Sequence, residues 1–218
     1  MSPVERPRVE GDREEEILDA TLDLLTTVGY DRLTMDAVAR EAHASKATLY
    51  RRWESKALLV IDSLLRSKGM PDIHTEDTGS LRGDLLSTFC GNHGLANSKA
   101  TTVLGAVITA VSTDPEFAAL FREHFIAPKT RVAQEIYQRA IARGEISPDI
   151  DLEIITPALA GVCLHRMYLM GQPPDDSVIE RVIDHLIMPA ALAAPVGSTA
   201  KTTSASSTTE GSKTRKNS

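Results

Sequence analysis

Between Thr34 and Lys56 the chain reads TMDAVAREAHASKATLYRRWESK, and this stretch concentrates groups that could do chemistry. Ser45, Lys46, Thr48, Tyr50, Arg51, Arg52 and Lys56 bring hydroxyls and cations together within a few turns of chain. Lysine and arginine donate to guanine O6/N7 and to phosphate oxygens, and threonine can bond either way or touch a thymine methyl. No nucleophile, acid–base pair or metal-ligand spacing accompanies these residues, so they point to recognition of DNA rather than to catalysis.

Such side chains need a frame that holds them on one surface. Thr34 can cap a first short helix, with Asp36 adding favourable charge to its first turn. Met35, Val38, Ala39 and Ala42 recur at helical spacing and give it a buried stripe. His43 and Ala44 leave room only for a tight turn. Ser45 then caps a second helix, 46–53, on which Leu49, Tyr50 and Trp53 are expected to pack inward while Lys46, Thr48, Arg51 and Arg52 point elsewhere. A short helix with an apolar back and a basic front suits the DNA major groove. Ahead of the pair, Ile17, Leu18, Thr21, Leu24, Leu25 and Val28 predict a helix over 13–28. Gly29 is expected to end it in the left-handed conformation, and Tyr30 and Leu33 to fold back into the small core. The run Glu14-Glu15-Glu16 suits a helix N-terminus.

Residues 17–59, ILDATLDLLTTVGYDRLTMDAVAREAHASKATLYRRWESKALL, resemble the DNA-binding domain of the TetR family of tetracycline-repressor-like regulators. The matching features are Gly29-Tyr30, the Thr that opens the next helix, the turn into Ser45-Lys46, the run Thr48-Leu49-Tyr50, the aromatic Trp53, and Ser55-Lys56. The family usually has Phe at position 53, often Gly at 47, and Val at 44. The resemblance implies an all-α chain: an N-terminal three-helix bundle with a helix-turn-helix, then a larger helical domain for ligand binding and dimerisation. It also implies phosphate contacts by Thr48, Tyr50 and Lys56, and Thr34 sits where a helix N-terminus can meet a phosphate. Lys46, Ala47 and Arg52 are the candidate base readers, with Ser45 and Arg51 completing the DNA-binding set. Trp53 is expected in the core.

The rest of the chain agrees with that frame. With 42% hydrophobic and 4% aromatic residues, the 218-residue chain is globular and poor in aromatics. A net charge of -6 argues against nonspecific coating of nucleic acid, whereas a sequence reader needs only a local basic face. Cys90 and Cys163 show no disulfide or metal spacing. The start carries no secretory signal, and no apolar run reaches the roughly 18 residues of a membrane span, so a cytoplasmic location without membrane partners is expected. The expected division is a flexible arm (1–11), the DNA-binding domain (12–55), a linking helix (56–69), an effector-binding and dimerisation domain (70–194) and a disordered tail (195–218).

The linking helix is expected to be the sole covalent and packed connection between the two functions. Beyond it the pattern is helical throughout. A Pro115-initiated helix carries Phe117, Phe121 and Phe125, Pro128 is expected to reset the chain, and further helices are expected over 152–170 and 176–192. The resemblance implies an effector cavity in this domain. Phe89, His93, Phe117, Phe121, Phe125, Tyr137, His165 and Tyr168 are its candidate lining, with Arg166 a further polar group to orient a ligand. No metal or cofactor is expected.

The functional expectation is a sequence-specific transcriptional regulator, a repressor released by a small hydrophobic effector. It would bind a pseudo-palindromic double-stranded operator as a homodimer through its last two helices, where Ala158, Ala160 and Gly161 permit close approach and Val182 and Leu186 supply an apolar stripe. Two alternatives are a small all-α enzyme with a structural helix-turn-helix, and a DNA-binding regulator without a small-molecule ligand.

Overall fold

A computed structural model of the protein describes residues 10–67, 75–90 and 98–193. Among these residues every regular element is helical. The helices are α1 (Glu10–Arg32), α2 (Met35–Glu41), α3 (Lys46–Arg52), α4 (Lys56–Ser67), α5 (Leu81–Phe89), α6 (Ser98–Thr113), α7 (Pro115–Phe121), α8 (Ala127–Ala142), α9 (Leu152–Leu164), α10 (Asp176–Val182) and α11 (Met188–Leu192). The all-α expectation holds. The expected tail, most of the expected arm, and His93 lie outside the described residues.

Local sequence sets the starts and stops. Thr34 Oγ1 accepts from the Ala37 amide at 3.1 Å, and Ser45 Oγ accepts from the Thr48 amide at 3.0 Å. Asp114, Asp151 and Asp175 cap α7, α9 and α10 in the same way. Gly29 has the expected positive φ, but its ψ of 167° is extended rather than left-handed helical. The chain therefore kinks there, and Tyr30 to Arg32 continue as a separate turn.

Two sequence expectations are corrected. Pro128 does not reset the chain: a π-helical turn, Arg122–Ile126, joins α7 to α8 without a break. Proline lacks the amide that an α-helix needs, and the Ala127 amide just before it reaches back five residues to the Arg122 carbonyl. Pro189 is accommodated alike: the Met188 amide bonds to the Ile183 carbonyl at the end of a second π-helical turn, Ile183–Ile187. Another such turn, His165–Leu169, prolongs α9.

Nor is α4 the sole packed link. The described residues form two apolar cores. The first joins α1–α4 to Val103, Val107 and Ala110 of α6, Phe117 and Phe121 of α7, and Phe125 of the π-turn after it. The second gathers Leu81 and Leu85 of α5, Ile136, Tyr137 and Ala140 of α8, Ile155, Leu159 and Cys163 of α9, and Ile179, Ile183 and Ile187 of the last helices. The first core thus crosses from the helix-turn-helix into the C-terminal half, and α1 packs directly against α6.

Candidate DNA-binding surface and the C-terminal half

In α3 only Leu49 is fully buried, and Trp53, which ends the helix, is buried beside it. Tyr50 does not pack inward with them: it is 54% exposed. A helix advances about 100° per residue, so once Leu49 faces the core its neighbour must look sideways. Ala47 and Arg51 lie two residues on either side of Leu49 and point most directly outward; both are exposed. Lys46 and Arg52 occupy the flanks. Lys46 Nζ pairs with Asp36 at 2.6 Å on the α2 side. Arg52 Nη2 reaches Glu14 Oε1 at 3.3 Å on the α1 side.

The remaining candidates share this face or border it. Ser45 and Thr48 bond each other at 2.8 Å, and Thr34 is exposed at the start of α2. Lys56 is half-buried: Nζ donates to the Tyr30 carbonyl at 3.0 Å and sits 4.1 Å from the Tyr30 ring centroid. A lysine ammonium carries three donors, so this contact leaves capacity for a phosphate. Burial pushes the Tyr30 hydroxyl far up, with Asp114, Glu116 and Asp31 adding to the effect, so it stays protonated. A shallow cleft lined by Arg13, Glu14, Thr48, Arg51 and Arg52 separates α1 from α3, floored by Ile17 and Trp53.

Sequence reasoning missed several residues that position this face. The Trp53 indole N–H donates to Asp62 of α4 at 2.8 Å. Arg13 donates to Glu16 at 2.9 Å and also to the His43 carbonyl in the turn of the helix-turn-helix. His43 holds φ 49°, a left-handed conformation uncommon outside glycine. Its place in a two-residue turn was the available signal; the Arg13 contact, thirty residues away in sequence, had none.

The seven candidate effector-site residues that are described are not brought together. Phe117, Phe121 and Phe125 recur every fourth position and form one ladder in the first core. Tyr30 lies 4.3 Å from Phe117, Phe117 5.9 Å from Phe121, and Phe121 4.7 Å from Phe125. These rings stack toward α1 rather than around a cavity shared with the others. Tyr137 is buried in the second core, where Phe89 packs half-exposed, and desolvation lifts the Tyr137 hydroxyl to about 12. His165 is exposed. Tyr168 is half-buried against α6, where a Cβ on Gly105 would stand 3.2 Å from its ring. Helical spacing shows that a ring faces inward but not which core receives it.

Three polar side-chain atoms in this half, Arg143 Nε, Thr156 Oγ1 and Arg166 Nε, are buried without a hydrogen-bond partner. Cys90 and Cys163 are free thiols; burial raises both, and for Cys163 Arg166 pulls partly back. A raised thiol is a poor nucleophile at neutral pH. Among the described residues no group of His, Cys, Asp or Glu could hold a metal ion, and no helix is long and apolar enough to cross a membrane.

Comparison with known proteins agrees with this architecture. Residues 17–62 match the family described as bacterial regulatory proteins, tetR family, and residues 75–186 match the tetracyclin repressor-like C-terminal domain. An uncharacterized HTH-type transcriptional regulator of Mycobacterium tuberculosis is 37% identical over 183 residues, spanning 81% of this chain and 87% of its own. A DNA-binding transcriptional repressor TetR of Mycobacteroides abscessus is 34% identical over 176 residues, spanning 81% and 92%. The crystal structure of the TetR family transcription regulator SCO0332 superposes with a TM-score of 0.61 at 29% identity, covering 81% of this chain and 97% of that one. With the helix-turn-helix of α2 and α3 at one end and a larger helical domain behind it, the chain is a transcriptional regulator of the TetR family.

Proposed function

We propose that this regulator is a homodimeric repressor that reads a pseudo-palindromic operator and is released by a small hydrophobic effector. Thr34, Ser45, Lys46, Ala47, Thr48, Tyr50, Arg51, Arg52 and Lys56 form its DNA-contacting set. Within that set Ala47 and Arg51 meet base edges, since they lie opposite Leu49. Arg52 approaches from the α1 flank, Lys46 from the α2 flank, and Thr48, Tyr50 and Lys56 contact phosphates. The proposal divides the chain into a reader (12–55), a linking helix (56–69) and an effector and dimerisation domain (70–194).

The observation that carries the dimer is the apolar face of α9 and the last helix. Ile154 is 69% exposed and Leu186 46% exposed, and they border a groove with Ile150, Ala158 and Ala190. Gly161 on the same helix has open space above it. An exposed apolar face of this kind is unfavourable for an isolated chain, and a two-fold dimer would cover it while matching two half-sites. Val182 packs half-buried on the second core and is not part of this face.

The effector binds near Tyr168 and Arg166, where α9 runs on into its π-helical turn. The support is the unpartnered, buried Arg166 Nε. A buried donor without a partner costs about 1–3 kcal/mol, and a ligand bearing an acceptor group would remove that cost. The decisive experiment selects bound sequences from a random DNA pool with the full chain. A palindromic consensus is expected, and it should vanish for Ile154→Glu/Leu186→Glu, which should sediment as a monomer. A wild-type chain that sediments as a monomer at micromolar concentration and still selects a palindrome ends the dimer reading.

A further inference from the structure

Side chains in the first turns of α1 tie it to α3, to the turn before α3 and to α4. Arg13 donates through Nη1 to Glu16 at 2.9 Å and through Nη2 to the His43 carbonyl. Glu14 accepts from Arg52 at 3.3 Å. Glu15 faces Arg66 of α4 at 3.7 Å. Two adjacent residues of α1 therefore hold the turn immediately before α3 and the last residue of α3. The acidic run does more than complement a helix N-terminus.

The other side-chain ties of α3 described above are the Lys46–Asp36 pair to α2 and the Trp53–Asp62 bond to α4. α3 spans seven residues, and a helix that short does not persist without tertiary support. Its own buried anchor is Leu49, with Trp53 just beyond it. The buried pair sets the depth of this short helix, and its tilt depends on the polar ties at its ends and flanks. The turn before it contains His43 at φ 49°, a conformation that persists only where the surroundings impose it. Arg13 supplies one such constraint at the His43 carbonyl.

We propose that Arg13 and Glu14 are specificity-determining positioning residues: they grip the recognition helix at both ends and fix the angle at which Ala47, Arg51 and Arg52 meet DNA. The proposal rests on the reading of α3 as the DNA reader. Base-edge hydrogen bonds tolerate only narrow ranges of distance and angle, whereas phosphate contacts by long cationic side chains carry no sequence information and tolerate small tilts. Loosening the grip therefore reduces binding to the right sequence more than binding to any sequence. Glu14 has a second effect: side-chain exposures of 25% for Glu14 and 61% for Arg52 leave the guanidinium open to DNA on one side and held on the other. One donor is taken, and the remaining donors of the fork stay available.

Charge alone could imitate this effect, because removing Glu14 or Arg13 alters the attraction of every phosphate. The test therefore uses charge-preserving variants, Glu14→Asp and Arg13→Lys, with Glu15→Asp as the control. With the full-length chain, affinities are measured at one salt concentration for the sequence selected by the wild-type protein and for a scrambled duplex. Each variant is melted separately, and binding is read where all are folded. For each tie the selected sequence should bind about two- to fivefold more weakly, the range expected for a largely exposed ion pair. The scrambled duplex should bind as before, so the specificity ratio falls by the same factor, and Glu15→Asp should keep the wild-type ratio. A wild-type ratio in both single variants and in the double variant overturns the proposal, whatever happens to the melting temperature. A wild-type chain that enriches no sequence overturns the reading of α3 itself, and the positioning role with it.

Discussion

The core around α1 and the core around α8 are built from the same kinds of apolar side chains but are closed differently. The first is stitched across the two halves of the chain by a ladder of rings, from Tyr30 through Phe117 and Phe121 to Phe125, with Lys56 over one end and Lys129 over the other. The second is closed at one end by a buried carboxylate, Asp84, fully enclosed between α5 and α8. Asp84 accepts from the Thr78 amide and hydroxyl at 2.7 Å each, and from Arg139 and Arg143 at distances of 3.3 to 3.4 Å. Glu145, bonded to Arg143 and to the Leu81 amide, extends the cluster. Rings tolerate small sliding displacements, whereas a buried ion cluster demands a fixed set of partners. The interface between the helix-turn-helix and the C-terminal half is thus made of the more yielding material, and the base of the C-terminal half of the stiffer one.

Removing the ring that bridges the halves is the strongest way to break this contrast. Phe117→Ala should cost about 3–5 kcal/mol, the range for a buried aromatic. Because the first core includes the reader, hydrogen exchange should accelerate at amides of α2 and α3 as well as α7. Protection lost in α7 alone would mean that the two halves unfold independently.

Asp84→Ala should cost about 3 kcal/mol by urea denaturation, since it takes the carboxylate partner from the partly buried Arg139 and one of three from Arg143. The same residue gives a pH signature. Burial pushes its carboxyl up, but the Thr78 bonds and the Arg143 and Arg139 charges outweigh that and hold it below the ordinary carboxylate range. A depressed folded value means that the stabilisation is complete above about pH 4 and is lost as pH falls through the lower folded value. Wild-type stability should therefore fall on acidification, and the Asp84→Ala curve should be flatter. Parallel curves would remove Asp84 as the stiff closure of the second core.

Two smaller changes sharpen the account of the reader. Gly29 has φ 77° and ψ 167°, and a Cβ added there would meet nothing within 4 Å, so Gly29→Ala should cost about 2 kcal/mol from backbone strain alone. A thermal melt measures it. Asp62→Ala should cost about 1 kcal/mol by leaving the buried Trp53 N–H without its acceptor. Trp53 is the chain's only tryptophan, so its fluorescence reports the loss directly.

Much of the reader is legible in the sequence. Thr34 and Ser45 cap helices through bonds to residues three positions on, and Met35, Val38, Ala39 and Leu49 bury at helical spacing. All of these are local relations. Tyr50 departs from expectation because an apolar-bodied ring next to Leu49 looks like core by type, while helical geometry turns it outward. Pro128 departs from it because proline forbids the usual amide bond but not a five-residue one formed by its neighbour.

The sequence by itself determined the fold class, the helix-turn-helix and the character of its exposed face, because caps, periodicity and turn residues act within a few positions along the chain. Only the tertiary structure decided which core each aromatic joins, that Lys56 rests on Tyr30, and that α1 holds α3 through Arg13 and Glu14. It alone also drew Asp84, Arg139 and Arg143 into one cluster. Each of these contacts joins residues 26 or more positions apart. Local propensity carries no information about which distant partner a side chain meets; the packing of whole helices settles it.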